Sequence, residues 1–233
     1  MLPLRDENPR RTIPVVNIVL IIINVLMFFW EMSLGNQLEP ALSAVAFVPA
    51  RFWSAPFAPA NIFSIFVSMF LHGGILHLGG NMLYLWIFGD NIEDRIGHFR
   101  YVIFYALCGI VATLAHAIVN PSSRIPSIGA SGAIAGVLGA YLILFPKARV
   151  LTLIPILFFI TIREIPAIVV LGLWFVLQLF VGVGSIGLSD AAGGGVAYFA
   201  HIGGFVCGMV LVLVMGGKRR EPPQRVTKYD WPV

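Results

Sequence analysis

Ser127-Ile-Gly-Ala-Ser-Gly-Ala-Ile-Ala-Gly-Val-Leu-Gly-Ala-Tyr141 decides how this chain folds. A Gly-x-Ser-Gly turn runs directly into an uncharged segment that continues to Phe145. That pattern predicts Ser131 one to two turns inside a helix able to enter a membrane. A hydroxyl there does nothing for solubility. Gly129, Gly132, Gly136 and Gly139 put no side chain between this helix and a neighbour, so another backbone can come very close. Close approach is what a serine nucleophile requires of its base, although Ser131 taken alone also fits a small packing residue in a glycine-rich helix.

Working outward, 58% of the 233 residues are hydrophobic and 11% are charged, against about 25% charged in an average soluble domain. Such a chain is a polytopic membrane protein. The net charge is +4, but the basic residues sit at the chain ends and in short loops without interleaved aromatics, which marks topology signals and not nucleic-acid binding. Cys108 and Cys207 lie in apolar stretches with no Cys-x-x-Cys spacing, so neither a disulfide framework nor a zinc knuckle is indicated. The first apolar run is too long for a signal-peptide core and has no small-residue cleavage site, so it counts as a span.

In chain order, residues 1–12 read as a polar tail, and the first span covers 13–30, with Pro14 at its start. Residues 35–62 hold prolines at 40, 49, 56 and 59 among Phe47, Phe52, Trp53 and Phe57. They are too interrupted to span and too apolar for water, which predicts an interfacial first loop, continued by apolar 63–71. His72-Gly73-Gly74 breaks that stretch before a second span at 75–94, and a third follows at 99–119. Asn120-Pro121-Ser122-Ser123 turns into the fourth, 126–145, which Pro146-Lys147-Ala148-Arg149 stops. Arg163, Glu164 and Pro166 interrupt the next apolar segment. The cost of a charge pair at the bilayer centre favours a re-entrant or interfacial first half and a fifth span at 165–183. A glycine-rich loop at 182–195 carries Asp190, the sixth span is 196–215, and 217–233 is a basic tail. The expected fold is an all-α membrane bundle of six transmembrane helices within residues 13–216.

With both termini cytoplasmic, thirteen of the fifteen Lys and Arg residues lie on the inner side and only Arg51 and Arg124 outside, a strong positive-inside bias. The second, fourth and sixth spans then all run inward. His77 with Asn81, Ser131 and His201 each lie near an outer end, so four polar groups share one layer. His77 and Asn81, at i and i+4, leave the same helix face. Polar groups in lipid are costly unless partnered, so their common depth predicts that they face one another. His201 is then the base for Ser131. The Ser131 N–H, the His77 ring and the Asn81 amide are oxyanion donors, and the only carboxylate at that depth is Asp190 in its loop. Gly132-x-x-x-Gly136 and Gly204-x-x-x-Gly208 would let the fourth and sixth helices touch.

The assembled pattern resembles the rhomboid family of intramembrane serine proteases. It comprises Phe70-Leu71-His72-Gly73-Gly74 leading to His77-x-x-x-Asn81, then Glu93-Asp94-Arg95-Ile96-Gly97, Gly129-Ala130-Ser131-Gly132 and Ala200-His201-Ile202-Gly203-Gly204. The resemblance implies a Ser131 nucleophile, a His201 general base and acid, and His77 and Asn81 as oxyanion donors. It further implies a structural network at Glu93 and Arg95, membrane-protein substrates, no cofactor or metal, and a prokaryotic cell membrane as the location. Two positions depart from many relatives. Ser54 follows Trp53 where an arginine is common, and Ala135 stands where some relatives place a tyrosine against the catalytic imidazole, leaving Tyr198 or Trp174 to orient His201. A non-catalytic binder of membrane helices is the alternative. A small transporter is disfavoured by the lack of an internal repeat, and a zinc protease by the lack of His-Glu-x-x-His.

Overall fold

The structure, a computed structural model, describes residues 1–156, 159–186 and 197–216. Its first helix, α1 (Val15–Ser33), is built inside out compared with a helix in water. Asn17, Asn24 and Glu31 recur every seven residues and are buried, while Leu26 and Phe29 on the outer surface are more than 60% exposed. A seven-residue polar period keeps one face inward, and an apolar exterior suits lipid as its solvent.

After a 3-10 turn at Gly35–Gln37, three short helices follow, α2 (Leu38–Val45), α3 (Pro49–Ser54) and α4 (Pro59–Ser68). They form the region expected as an interfacial loop, and the Ser54 departure does not leave it loose. Arg51 donates to the Ser43 carbonyl at 2.7 Å and also to that of Ala46, while Trp53 Nε1 donates to Ala117 O at 2.8 Å. Next come α5 (Ile75–Ile96), α6 (His98–Val119), α7 (Ser131–Leu144), α8 (Ala167–Gly184) and α9 (Tyr198–Val214). Helix α7 is the centre: every residue from Gly132 to Tyr141 is buried, and α5, α6, α8 and α9 pack around it. A Cβ at Gly204 would overlap the Gly132 carbonyl oxygen, and one at Gly208 would lie 2.6 Å from Gly136 Cα. The two glycine pairs therefore hold α7 and α9 in backbone contact.

Among the described helices, α1, α6 and α8 are long and apolar enough to cross a membrane, whereas α4, α7 and α9 are shorter apolar helices. Helix α5 has the length, but polar groups concentrate at both its ends. Its C-terminal end clamps α1: buried Glu93 accepts the Val16 N–H at 2.9 Å and the Asn17 N–H at 2.7 Å and also contacts His98 Nδ1. The orphan amides of the α1 N-terminus are satisfied there, and Asn17 is held further by Leu85 O and the Tyr101 hydroxyl.

The all-α expectation is corrected by a three-stranded antiparallel sheet, β1 (Leu2–Asp6), β2 (Arg149–Ile156) and β3 (Phe159–Pro166), in the order β1-β2-β3. The segment after α7, expected to be re-entrant or interfacial, is thus a hairpin in which Val150 faces Ile165 and Thr152 faces Arg163. Its β-branched residues favour a strand, and a strand as apolar as this is indistinguishable from a membrane segment by composition. The polar tail at 1–12 is likewise not free. Leu2–Asp6 adds to the sheet, and Asp6 Oδ2 accepts from the Tyr141 hydroxyl at 2.5 Å and from Asn91 Nδ2 at 3.1 Å. Burial raises the Asp6 carboxyl from its ordinary value to about 7, against the opposing effect of the Tyr141 bond. Asp190 and the basic tail at 217–233 lie outside the described residues.

Candidate active site

Ser131 is the first residue of α7 and not one to two turns inside it. The non-helical chain from Pro121 to Gly129 delays the helix. Ser127 pairs with Phe47 across an isolated bridge, its N–H donating to Phe47 O at 2.8 Å, and the Gly129 N–H donates to Ser68 O at 2.8 Å. Gly129 then turns the chain at φ +125°, a conformation that favours glycine. The first loop thereby fixes where the serine begins its helix. At this first position the Ser131 N–H is one of the amides with no intrahelical acceptor.

His201, in the first turn of α9, has its Nε2 2.8 Å from Ser131 Oγ. The contact follows from the glycine crossing one turn below, where Gly204 meets Gly132. His77 lies on the other side of the serine, and a Cβ at Gly129 would fall 2.9 Å from its Nε2. The Gly73 N–H points to His77 Nδ1 at 3.4 Å, which places the ring proton on Nε2, toward Gly129. Asn81 is buried and its Nδ2 has no hydrogen-bond partner in the protein. Ser131, His201, His77 and Asn81 all line one cavity of about 590 Å³, together with His116 and Tyr198.

Three contributors escaped sequence reasoning. Gln178 Oε1 lies 2.7 Å from His201 Nδ1. Its signal was available, since it is the one amide in the otherwise apolar α8. Buried Glu31 accepts the His72 N–H with both carboxylate oxygens, at 3.1 and 3.2 Å, and so steadies the turn that leads into His77. It is the only charge in α1. His116 faces the cavity from α6. Of the two aromatics considered for His201, Trp174 lies against the imidazole, with centroids 5.8 Å apart and planes at 36°. Among the described residues, His, Cys, Asp and Glu nowhere gather in a group able to hold a metal ion.

Fold and site together define an integral membrane helical bundle with a serine–histidine pair at the N-termini of two touching helices. A family model, the Rhomboid domain, matches residues 59–218. The mitochondrial Rhomboid protein 1 of Saccharomyces cerevisiae is 32% identical over 151 residues, 63% of this chain and 40% of that protein. The Rhomboid protease GluP of Bacillus subtilis is 33% identical over 150 residues, 60% of this chain and 28% of its own. The mitochondrial RHOMBOID-like protein 6 of Arabidopsis thaliana is 28% identical over 178 residues, 76% and 52% respectively. The chain belongs to the rhomboid family, and it spans about half the length, or less, of these relatives.

Proposed function

We propose that this chain is an intramembrane serine endopeptidase that cleaves transmembrane or membrane-proximal segments of membrane proteins near the outer face of the bilayer. The observation that carries the reading is the 2.8 Å contact between Ser131 Oγ and His201 Nε2 on the wall of a cavity. Ser131 Oγ attacks the scissile carbonyl while His201 Nε2 takes its proton. The C–N bond then breaks, the proton passes to the leaving amine, and an acyl-enzyme remains for water to hydrolyse by the same steps in reverse. The Ser131 N–H, the unpartnered Asn81 amide and the His77 Nε2–H are the donors for the oxyanion. A substrate helix has to unwind before its carbonyl is accessible, so small or helix-breaking residues are preferred near the cut.

The same reading takes six spans, with both termini in the cytoplasm of a prokaryotic cell. It is supported by the charge bias of the loops and by a bacterial relative named as a rhomboid protease. The test is cleavage of a transmembrane model substrate by purified protein in detergent. Ser131→Ala and His201→Ala each abolish cleavage with the fold intact, and a serine-directed phosphonate labels wild type but not Ser131→Ala. Full activity in Ser131→Ala would overturn the proposal.

A further inference from the structure

Helix α8 crosses beside the site with a single amide on it, and that amide meets the outer nitrogen of the His201 ring: Gln178 Oε1 is 2.7 Å from Nδ1. Trp174, four residues earlier on the same face, lies against the imidazole. Phe175 stacks on Phe205 of α9 at 4.4 Å and Trp174 packs on Phe205 at 5.9 Å, which fixes α8 in register with the helix that bears the histidine. An amide group this close to a ring nitrogen inside a helical bundle is an electrostatic statement about that nitrogen.

We infer that Gln178 is a positioning residue for His201, the third member of a Gln178–His201–Ser131 relay; this rests on His201 being the base for Ser131. An amide oxygen accepts, so it holds the ring proton on Nδ1 and leaves the Nε2 lone pair free for the Ser131 hydroxyl. When Nε2 takes the serine proton, the Nδ1–H bond to Gln178 becomes charge-assisted and strengthens as the imidazolium forms. Turned over, the same amide would donate to Nδ1, put the proton on Nε2 and silence the base. With its oxygen toward the ring, as here, Gln178 favours the Nδ1–H tautomer as well as the ring orientation. Where the residue after the nucleophile's first turn is Ala135, with no ring to offer, α8 supplies both parts of the seat, Trp174 for the face and Gln178 for the edge.

The test compares Gln178→Met, nearly isosteric but with no acceptor of comparable strength, with Gln178→Glu, which keeps one. For Gln178→Met, kcat and the rate of phosphonate labelling at Ser131 fall together by roughly ten- to a hundredfold, while KM and Tm stay at the wild-type values. Gln178→Glu restores both rates to within about threefold. Wild-type rates in Gln178→Met, or a loss in Gln178→Glu as large as in Gln178→Met, overturn the inference. The ¹⁵N spectrum of histidine-labelled wild-type protein needs no variant: His201 protonated on Nδ1 supports the relay, and protonation on Nε2 refutes it. If His201→Ala labels at the wild-type rate, the base reading itself has failed. If His201→Ala is silent while Gln178→Met is unaffected, only the role of Gln178 is lost.

Discussion

Replacing Gly204 by alanine tests whether backbone contact between α7 and α9 sets the distance for proton transfer. The added Cβ would sit 3.0 Å from the Gly132 carbonyl carbon and overlap the oxygen bonded to it. Carbon atoms rest about 3.5–4.0 Å apart, so the helices must part by roughly 1 Å at this level. Gly132 follows Ser131 directly and Gly204 is three residues past His201, so the gap opens where the two side chains meet. The Oγ to Nε2 separation then grows from 2.8 Å to nearly 4 Å, beyond the range of about 3.0 Å in which such a bond is made. A 1 Å misplacement in an active site costs about a hundredfold in rate, or roughly 2.7 kcal/mol of barrier. Overpacking adds about 1–3 kcal/mol of lost stability. The assay is kcat/KM for a fluorogenic transmembrane substrate in detergent, with Tm measured on the same samples. Gly172→Ala, whose added methyl meets nothing within 4 Å, should match wild type in kcat/KM and lose no Tm. A Gly204→Ala protein that cleaves within threefold of wild type would refute the idea that the glycine crossing positions the pair.

Two further outcomes follow from the same geometry. Asn81→Ala removes an amide donor that is otherwise unpartnered, so kcat should fall by roughly ten- to a thousandfold with little change in KM, the scale of one oxyanion donor; an equal rise in KM with kcat untouched would make Asn81 a substrate-binding group instead. Asp6, its carboxyl raised from 3.8 to about 7 by burial, binds a proton in the folded chain that the unfolded chain has released between those values. Its contribution to stability is therefore full below about pH 4 and disappears as pH rises through 7. Thermal unfolding at pH 5, 6.5 and 8 should show wild type losing Tm with pH and Asp6→Asn losing less; parallel curves would contradict this.

That Ser131 and His201 touch and that His77 and Asn81 line the same cavity was legible because polarity inside an apolar chain is too expensive to be casual: the four residues stand out against their surroundings for that reason. The same rule, applied one residue further, would have found Gln178 in α8 and Glu31 in α1, each conspicuous in its helix. What sequence could not yield were the places where two physical states share one composition. Val150 to Ile162 is apolar enough for lipid and β-branched enough for a strand, and pairing with Leu2–Asp6, nearly 150 residues away, separates the two. Helix α7 starts later than its composition suggests because the uncharged run is continuous from Ile125, whereas the helix waits for Gly129 to turn and for the first loop to hold Ser127.

That late start has a chemical consequence on the proposed topology. Fourteen residues make α7 about 21 Å long, against a hydrocarbon core of about 30 Å. If its far end at Leu144 reaches the inner boundary, Ser131 lies several ångströms below the outer one, deep enough to be sheltered and shallow enough for water to be brought to it. A nucleophile one or two turns into the helix would have had its own N–H consumed by an intrahelical bond. At the first position that N–H is free for an oxyanion, and the helix dipole favours negative charge at the same spot. On the proposed mechanism a short central helix therefore sets depth, nucleophile and charge stabilisation together, and lengthening it by a turn at its N-terminus would bury the serine amide in the helix ladder before it altered any side chain of the site.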